Sequence, residues 1–289
     1  EPCKRDTAGA LAYTAAWLMA RYPDRNPDAI TLAVTTADHR IGDAEGFKLM
    51  LETAMNMAEQ RNALVTCGIP PTRPETGFGY VEAIMDEPVA FESGKTSPVY
   101  QVRAFHEKPD AEQADRFVAS GRHYWNSGMF FWKLSVFLGE LRRARPALAE
   151  AVVTMAEALK RDDTAIVERI FEAIEGISID YALMEKSNNV LMVRGEFPWA
   201  DVGAWNAVDS SGTSDSSGNR TIGDPVVVDC ANCIVYNAAG ANKMAVGVVG
   251  MEDAIVVVTD DAVLVMPQSR AQDVRAVVEE LKHRNAKQI

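Results

Sequence analysis

Two polar strings interrupt stretches that otherwise read as core. FHEKPD spans Phe105–Asp110, and YWNSGMFFW spans Tyr124–Trp132. The first sets a Glu-Lys pair beside a Pro-Asp that reads as a helix start; the second sets Asn-Ser-Gly inside an aromatic strand. Together they suit a polyol ligand. A carboxylate accepts from sugar hydroxyls, an ammonium adds positive charge, and an amide and a glycine allow close approach. Taken singly, each string reads as well as an ordinary strand end or a buried asparagine.

Two aspartates could hold a divalent cation near phosphate. Asp38 follows the apolar run TLAVTTA, where the carboxyl end of a parallel strand would place it, and Asp201 lies in FPWADVGAW between Trp199 and Gly203. The plainer alternative for Asp38 is a turn or helix cap. TGFGYVE at 76–82 puts Gly77 and Gly79 around an aromatic; it is not GxGxxG and opens no helix, which leaves a ligand-touching loop or a hairpin turn. SIDYALMEK at 178–186 reads as a helix opened by Ser178, with Asp180 and Glu185 on different faces and Glu185 on a solvated one. There is no GxSxG, HExxH or GxxxxGK[ST], and His39, His106, His123 and His283 have no metal-ligand spacing. Cys230 and Cys233 form a CxxC with no second Cys/His pair, so it reads as structural.

The elements that must position these groups alternate. A helix over 7–21, a strand over 31–38, a helix over 44–61 and a strand over 63–69 predict an α/β fold with a largely parallel sheet. Residues 70–105 read as antiparallel additions folding over that sheet. Residues 110–120 and 135–175 are helical, broken at Pro146 and near Arg161–Asp163. A Ser/Gly/Asp-rich stretch then precedes short valine-rich strands over 225–267 and a helix over 270–286. The expected domains are 1–210, a linker at 211–220, and a β-rich domain at 221–289 suited to assembly. A net charge of -12 argues against nucleic acid as partner without excluding a nucleotide. No eighteen-residue apolar run or signal-peptide form is present, and four scattered cysteines suit a reduced, cytoplasmic protein.

In order along the chain, EPCKRDTAGA, the Asp38-His39 pair, PETGFGYVE, FHEKPD, WNSGMFFW, SIDYALMEK and FPWADVGAW resemble the mannose-1-phosphate guanylyltransferases. The resemblance covers essentially the whole chain, and its specificity lies in the ordered set. It implies a Rossmann-like, GT-A-like nucleotidyltransferase sheet with a smaller, left-handed β-helix-like C-terminal domain. The implied reaction is transfer of GMP from GTP to mannose 1-phosphate, giving GDP-mannose and pyrophosphate. The alternatives are another sugar-1-phosphate nucleotidyltransferase, or a non-catalytic sugar-nucleotide-binding or assembly module. By resemblance, Glu1, Arg5, Asp6 and Thr7 lie in a loop near the guanine. Asp38 and Asp201 hold Mg²⁺. Gly79, Glu107, Lys108 and Asn126 line the mannose pocket, with Asp180 near the acceptor. A homodimer is the assembly expected. The family's glycine-rich phosphate loop, G-G-x-G-x-R with a later Pro-Lys, has no counterpart in these residues. About two βαβ units are therefore expected to be missing: if G-G-x-G-x-R is encoded upstream of Glu1 the enzyme reading stands, and if Glu1 is the genuine start no turnover and at most weak GDP-mannose binding are expected. Asp6 stands where the family usually has Asn.

Overall fold

The computed structural model describes residues 1–90, 96–202, 205 and 214–288. It divides into two compact units, Glu1–Ala37 with Ile41–Trp199, and Asp38–Arg40 with Ala200–Ile289. Gly203 and residues 211–213 of the expected linker lie outside the described residues.

The first unit follows the expected alternation closely at its start. Helix α1 (Asp6–Arg21) leads to β1 (Thr31–Val34), the short β2 (His39–Ile41), α2 (Ala44–Arg61) and β3 (Leu64–Ile69). The limits of α2 are set locally. The Asp43 carboxylate accepts from the Glu45 and Gly46 N–H groups, and Asn62 ends the helix at φ 49°. Next come β4 (Tyr80–Ile84), β5 (Val99–His106), α3 (Ala111–Ser120) and the long β6 (His123–Lys133). Three helices follow, α4 (Leu134–Ala144), α5 (Pro146–Leu159) and α6 (Thr164–Glu172), then β7 (Val190–Arg194) and β8 (Trp199–Asp201). Pro146 and the Arg161–Asp163 turn separate the helices where their sequence implied.

The main sheet has the order β1-β6-β3-β7-β5-β4. Only β3 and β7 pair in parallel; every other ladder among the described strands of this sheet is antiparallel. This corrects the expectation of a largely parallel sheet. Strand–helix alternation fixes the layers but not which distant strands become neighbours, and β6 enters between β1, β3 and β4 running against all three. The segment at 70–105 supplies the expected antiparallel additions: β5 pairs with β7, β4 pairs with β5, and β4 also returns to pair with the start of β6.

Side chains alternate between two cores. Leu64, Phe130, Trp132 and Val190 join buried residues of α1, α4, α5 and α6. Val65, Cys67, Phe131 and Val193 join Met50, Ala54 and Met57 of α2. Burial on both faces explains why these strands read as continuous apolar runs. Helix α1 meets α5 through buried Ala8, Ala12, Ala15 and Ala16, whose small side chains permit a close approach.

The second unit is built of short rungs. Strands β9 (Arg220–Ile222), β11 (Ile234–Asn237) and β13 (Ala254–Val258) stack in parallel, as do β10 (Val226–Val228) and β12 (Gly247–Val249). Strand β14 (Val263–Pro267) turns back antiparallel on β13. Corners come from residues that tolerate left-handed backbone, among them Asp229 (φ 51°), Asn232 (φ 51°) and Asp253 (φ 49°). The buried Asn219 amide donates to the Cys230 carbonyl and accepts from the Cys233 N–H. Both thiols of the CxxC donate to main-chain carbonyls. The expected closing helix is a 3₁₀ turn, Gln268–Asp273, running into α7 (Val274–His283).

Candidate functional site

The Asn-Ser-Gly of β6 is a strand irregularity. Its register with β3 shifts between Thr66 and Gly68, and Gly128 takes φ 69°, a conformation that glycine enters without cost. Ser127 turns inward, and its hydroxyl donates to the Cys67 carbonyl at 2.8 Å. Asn126 is held by backbone and side chain. Its N–H donates to the Gly79 carbonyl at 2.8 Å; its Oδ1 accepts from the Gly128 N–H at 3.3 Å and shares the single Thr66 hydroxyl proton, at 3.1 Å, with the Met129 carbonyl, also at 3.1 Å. Its Nδ2 donates to Asp180 Oδ1 at 2.7 Å. Donors on one side and a carboxylate on the other fix which way the amide points.

Gly79 answers an open question about TGFGY. It is not the tip of a hairpin; a Cβ there would collide with Glu107 Oε2. Glu107 follows the end of β5. Lys108 next to it sits at φ 48°, with its ammonium 3.5 Å from Glu107 Oε1. Asp110 accepts from Gln113 N–H at 2.8 Å and starts α3, as FHEKPD implied.

Asp180 belongs to a single π-type turn, Asp180–Met184, closed by Glu185 N–H donating to the Asp180 carbonyl at 3.0 Å. The expected helix is reduced to this one wide turn, and Ser178 does open it, its hydroxyl accepting from the Tyr181 N–H at 3.4 Å. The wider turn brings residues five apart onto the same side, so Asp180 and Glu185 are neighbours, contrary to the α-helical reading. Glu185 is exposed as expected, yet its carboxylate also accepts from the Glu107 N–H. Sequence reasoning missed both that role and Thr66, because neither follows from local spacing.

Gly79, Glu107, Lys108, Asn126 and Asp180 therefore come together. Burial, then the nearby Asp180 charge, raises the Glu107 pKa against the pull of Lys108. Burial raises Asp180 too, opposed by the bond from Asn126. Burial and Asp180 raise Glu185. Three carboxylates with one ammonium, in a partly desolvated recess, form a set of hydrogen-bond acceptors.

The first residues lie against the same region. Asp6 (φ 58°) and Thr7 open α1, correcting the expectation of a loop. The Thr7 hydroxyl accepts from the Ile179 N–H at 2.8 Å, one residue before Asp180. Arg5 is turned away, its guanidinium donating to the Glu172 carbonyl, and Glu1 is exposed. Aromatic packing supports the Gly79 loop: Phe78 meets Trp125 edge-on at 5.4 Å and Trp199 at 5.6 Å.

Asp38 and Asp201 both belong to the second unit. The expected strand at 31–38 ends at Val34, so Asp38 is not at its carboxyl end; β1 is antiparallel to β6, and Asp38 instead precedes β2, which pairs with β8 in a small sheet of its own. Both carboxylates act on His39 and favour its protonated form, although burial, the larger effect, lowers its pKa. Carboxylates of this kind are the ligand type that a hard divalent cation takes.

A family model described as Nucleotidyl transferase matches residues 1–214. The chain belongs to that family. A second model, MannoseP isomerase/GMP-like beta-helix domain, matches residues 223–281, so in this nucleotidyl transferase a β-helix-like unit follows the α/β unit along the chain. It is 38% identical over 284 residues to a mannose-1-phosphate guanylyltransferase of Escherichia coli, covering 98% of this chain and 57% of that protein. It is 38% identical over 283 residues to the alginate biosynthesis protein AlgA of Pseudomonas aeruginosa, covering 97% and 56%. The chain thus spans a little over half the length of these curated relatives. A solved structure described as a mannose-1-phosphate geranyltransferase of Thermus thermophilus superposes with a TM-score of 0.78 at 33% identity, covering 98% of this chain and 77% of that one.

Proposed function

We propose that this nucleotidyl transferase moves GMP from GTP to mannose 1-phosphate, giving GDP-mannose and pyrophosphate. A phosphate oxygen of mannose 1-phosphate forms a bond to the α-phosphorus as the bond to the β-phosphate bridge breaks, and pyrophosphate leaves. Such a transfer needs positioning and charge neutralisation more than a protein nucleophile. The observation that carries the reading is the acceptor-rich recess at Asn126 and Asp180, held by the 2.7 Å bond between them. The name of the Escherichia coli relative supports the substrate pair.

In this reading Glu107 and Asp180 accept from mannose hydroxyls and Lys108 adds positive charge beside them. Asn126, held on its Oδ1 side by Thr66 and Gly128, fixes Asp180 in place. Gly79 leaves room for the Glu107 carboxylate. Glu1, Arg5, Asp6 and Thr7 are proposed for the guanine side. Arg5 and Thr7 act there through the backbone they hold, since their polar groups already bond to Glu172 and Ile179. Asp38 and Asp201 would hold Mg²⁺, which when bound neutralises phosphate charge. The assembly proposed is a homodimer through the β-helix-like unit, on the support of exposed Val226, Val228 and Val249. The compartment proposed is the cytoplasm, on the support of four free cysteines. Among the described residues no helix is long and apolar enough to cross a membrane.

Pyrophosphate release with mannose 1-phosphate across GTP, ATP, UTP and dTTP tests the reading. Release with GTP in clear excess over the others is the expected outcome; release with UTP and none with GTP would overturn it. Sedimentation tests the dimer, which a monomer at micromolar concentration would exclude.

A further inference from the structure

A second cluster of polar side chains lies in the first unit, among groups that the proposed transfer does not use. Glu82 on β4, His106 at the end of β5 and His123 at the start of β6 each offer one ligand atom, and all three atoms lie within 4.8 Å of one another. Adjacent strands create the cluster, since Glu82 is directly opposite His123 and Tyr80 is opposite His106. Glu82 and His123 are buried, at 9% and 6% exposure.

The histidines are prepared as neutral ligands. Ser120 Oγ donates its single proton to the Phe117 carbonyl at 2.7 Å, so its 2.6 Å contact with His123 Nδ1 must be the ring N–H donating to oxygen. That leaves the His123 Nε2 lone pair available. His106 Nε2 is buried and has no hydrogen-bond partner, an unsatisfied polar atom of the kind that marks an unfilled function. Phe117 covers both rings, stacked on His123 at 4.2 Å and tilted on His106 at 4.8 Å.

We propose that Glu82, His106 and His123 bind a transition-metal dication of the Zn²⁺ class that clips β4, β5 and β6 together and fixes the segment entering Glu107. Two imidazoles and a carboxylate are a zinc-type donor set and a poor one for Mg²⁺, which separates this site from the paired aspartates. Modest side-chain rotation closes the donors to the spacing that bonds of about 2.0–2.2 Å require. Glu82 Oε1 already receives Arg122 at 3.0 Å and Arg103 at 3.7 Å, which leaves Oε2 for the metal. Both guanidiniums are more than half exposed, at 54% and 57%, so solvent screens them from the added charge. The Ser120 bond to His123 is the outer support that metal-bound histidines require.

The test is Co²⁺ titration of the chelator-treated full chain, read by visible absorption, with a parallel Zn²⁺ titration read by thermal denaturation. Expected are one Co²⁺ per chain with tetrahedral bands, no thiolate charge-transfer band, and a Zn²⁺-dependent rise in Tm. Both signals should vanish in His106→Gln and persist in Asp201→Asn. Ser120→Ala, which alters no metal-binding side chain and lies at an exposed position, should weaken binding roughly 10-fold or more with the circular dichroism spectrum unchanged. No binding at micromolar Co²⁺ would overturn the proposal. So would bands that survive His106→Gln, bands lost in Asp201→Asn, a thiolate band pointing to Cys230 and Cys233, or Ser120→Ala binding as tightly as the wild type.

Discussion

Asp180→Asn separates binding from folding at the recess. The variant keeps the shape of the side chain and leaves an amide oxygen able to accept from Asn126 Nδ2, now 2.7 Å from a carboxylate oxygen. Turning that charge-assisted bond into a neutral one costs about 1 kcal/mol. Loss of the Asp180 charge works the other way, because it removes a repulsion that Glu107 and Glu185 both feel. The net change in stability should stay within about 1 kcal/mol, a Tm shift below about 4 °C for a unit of this size. Binding behaves differently. A sugar hydroxyl bonded to a charged acceptor is worth about 1.5–3 kcal/mol, so KM for mannose 1-phosphate should rise about 10- to 150-fold. If the contact is equal in ground and transition states, kcat holds. The assay is pyrophosphate release against mannose 1-phosphate, paired with a melting curve. An unchanged KM with a Tm loss of about 8 °C or more, twice the shift allowed above, would refute the reasoning and make Asp180 a structural residue.

The same charges set a pH dependence. Asp180 and Glu185 have raised pKa values in the folded chain, so the folded state takes up protons before the unfolded one as pH falls, and this pair adds stability between neutral pH and the ordinary carboxylate range near 4. Urea denaturation should show wild type gaining on Asp180→Asn between about pH 7 and pH 5; a constant difference would contradict the shift. Gly79→Ala needs no strained backbone and displaces only the flexible Glu107 carboxylate, so Tm should hold while KM for mannose 1-phosphate rises about 10-fold or more. Gly128→Ala is the converse. The nearest atom to a new Cβ is Thr36 Cγ2 at 3.5 Å, so the cost is the positive φ alone, about 1–2 kcal/mol by denaturant titration. Asp110→Ala removes the cap of α3 and should cost about 1 kcal/mol with KM unaltered within about twofold.

The site was legible in the sequence where residue type conflicts with position. Asn126 and Ser127 stand out because a polar pair within an aromatic strand must be satisfied by something, and the structure supplies Thr66, Gly128, Cys67 and Asp180. Helix α2 was legible to the residue because Asp43 and Asn62 write its ends locally. Strand direction was not, since pairing β6 with β1 sets Thr31 opposite Lys133 and no local pattern encodes that choice. Asp180 and Glu185 misled because an α-helical period was applied where one turn opens to five residues. Glu82, His106 and His123 were invisible as a group for a related reason. Their proximity arises across three strands, and spacing along the chain carries no trace of it.

Strand β6 has a consequence for the order in which the first unit assembles. Its amino half lies between β3 and β4, and its carboxyl half lies between β3 and β1. Until β6 docks, β1 and β4 have no shared neighbour, and the loop closures that join them are long and entropically costly. Docking of β6 is therefore the late, cooperative step, and its main-chain amides should be among the slowest to exchange with deuterium. Asn126 reaches its place in that same step, so the recess proposed for the sugar forms only when the sheet does. A chain part-way through folding would hold its helices without yet bringing together the groups proposed to meet a hexose.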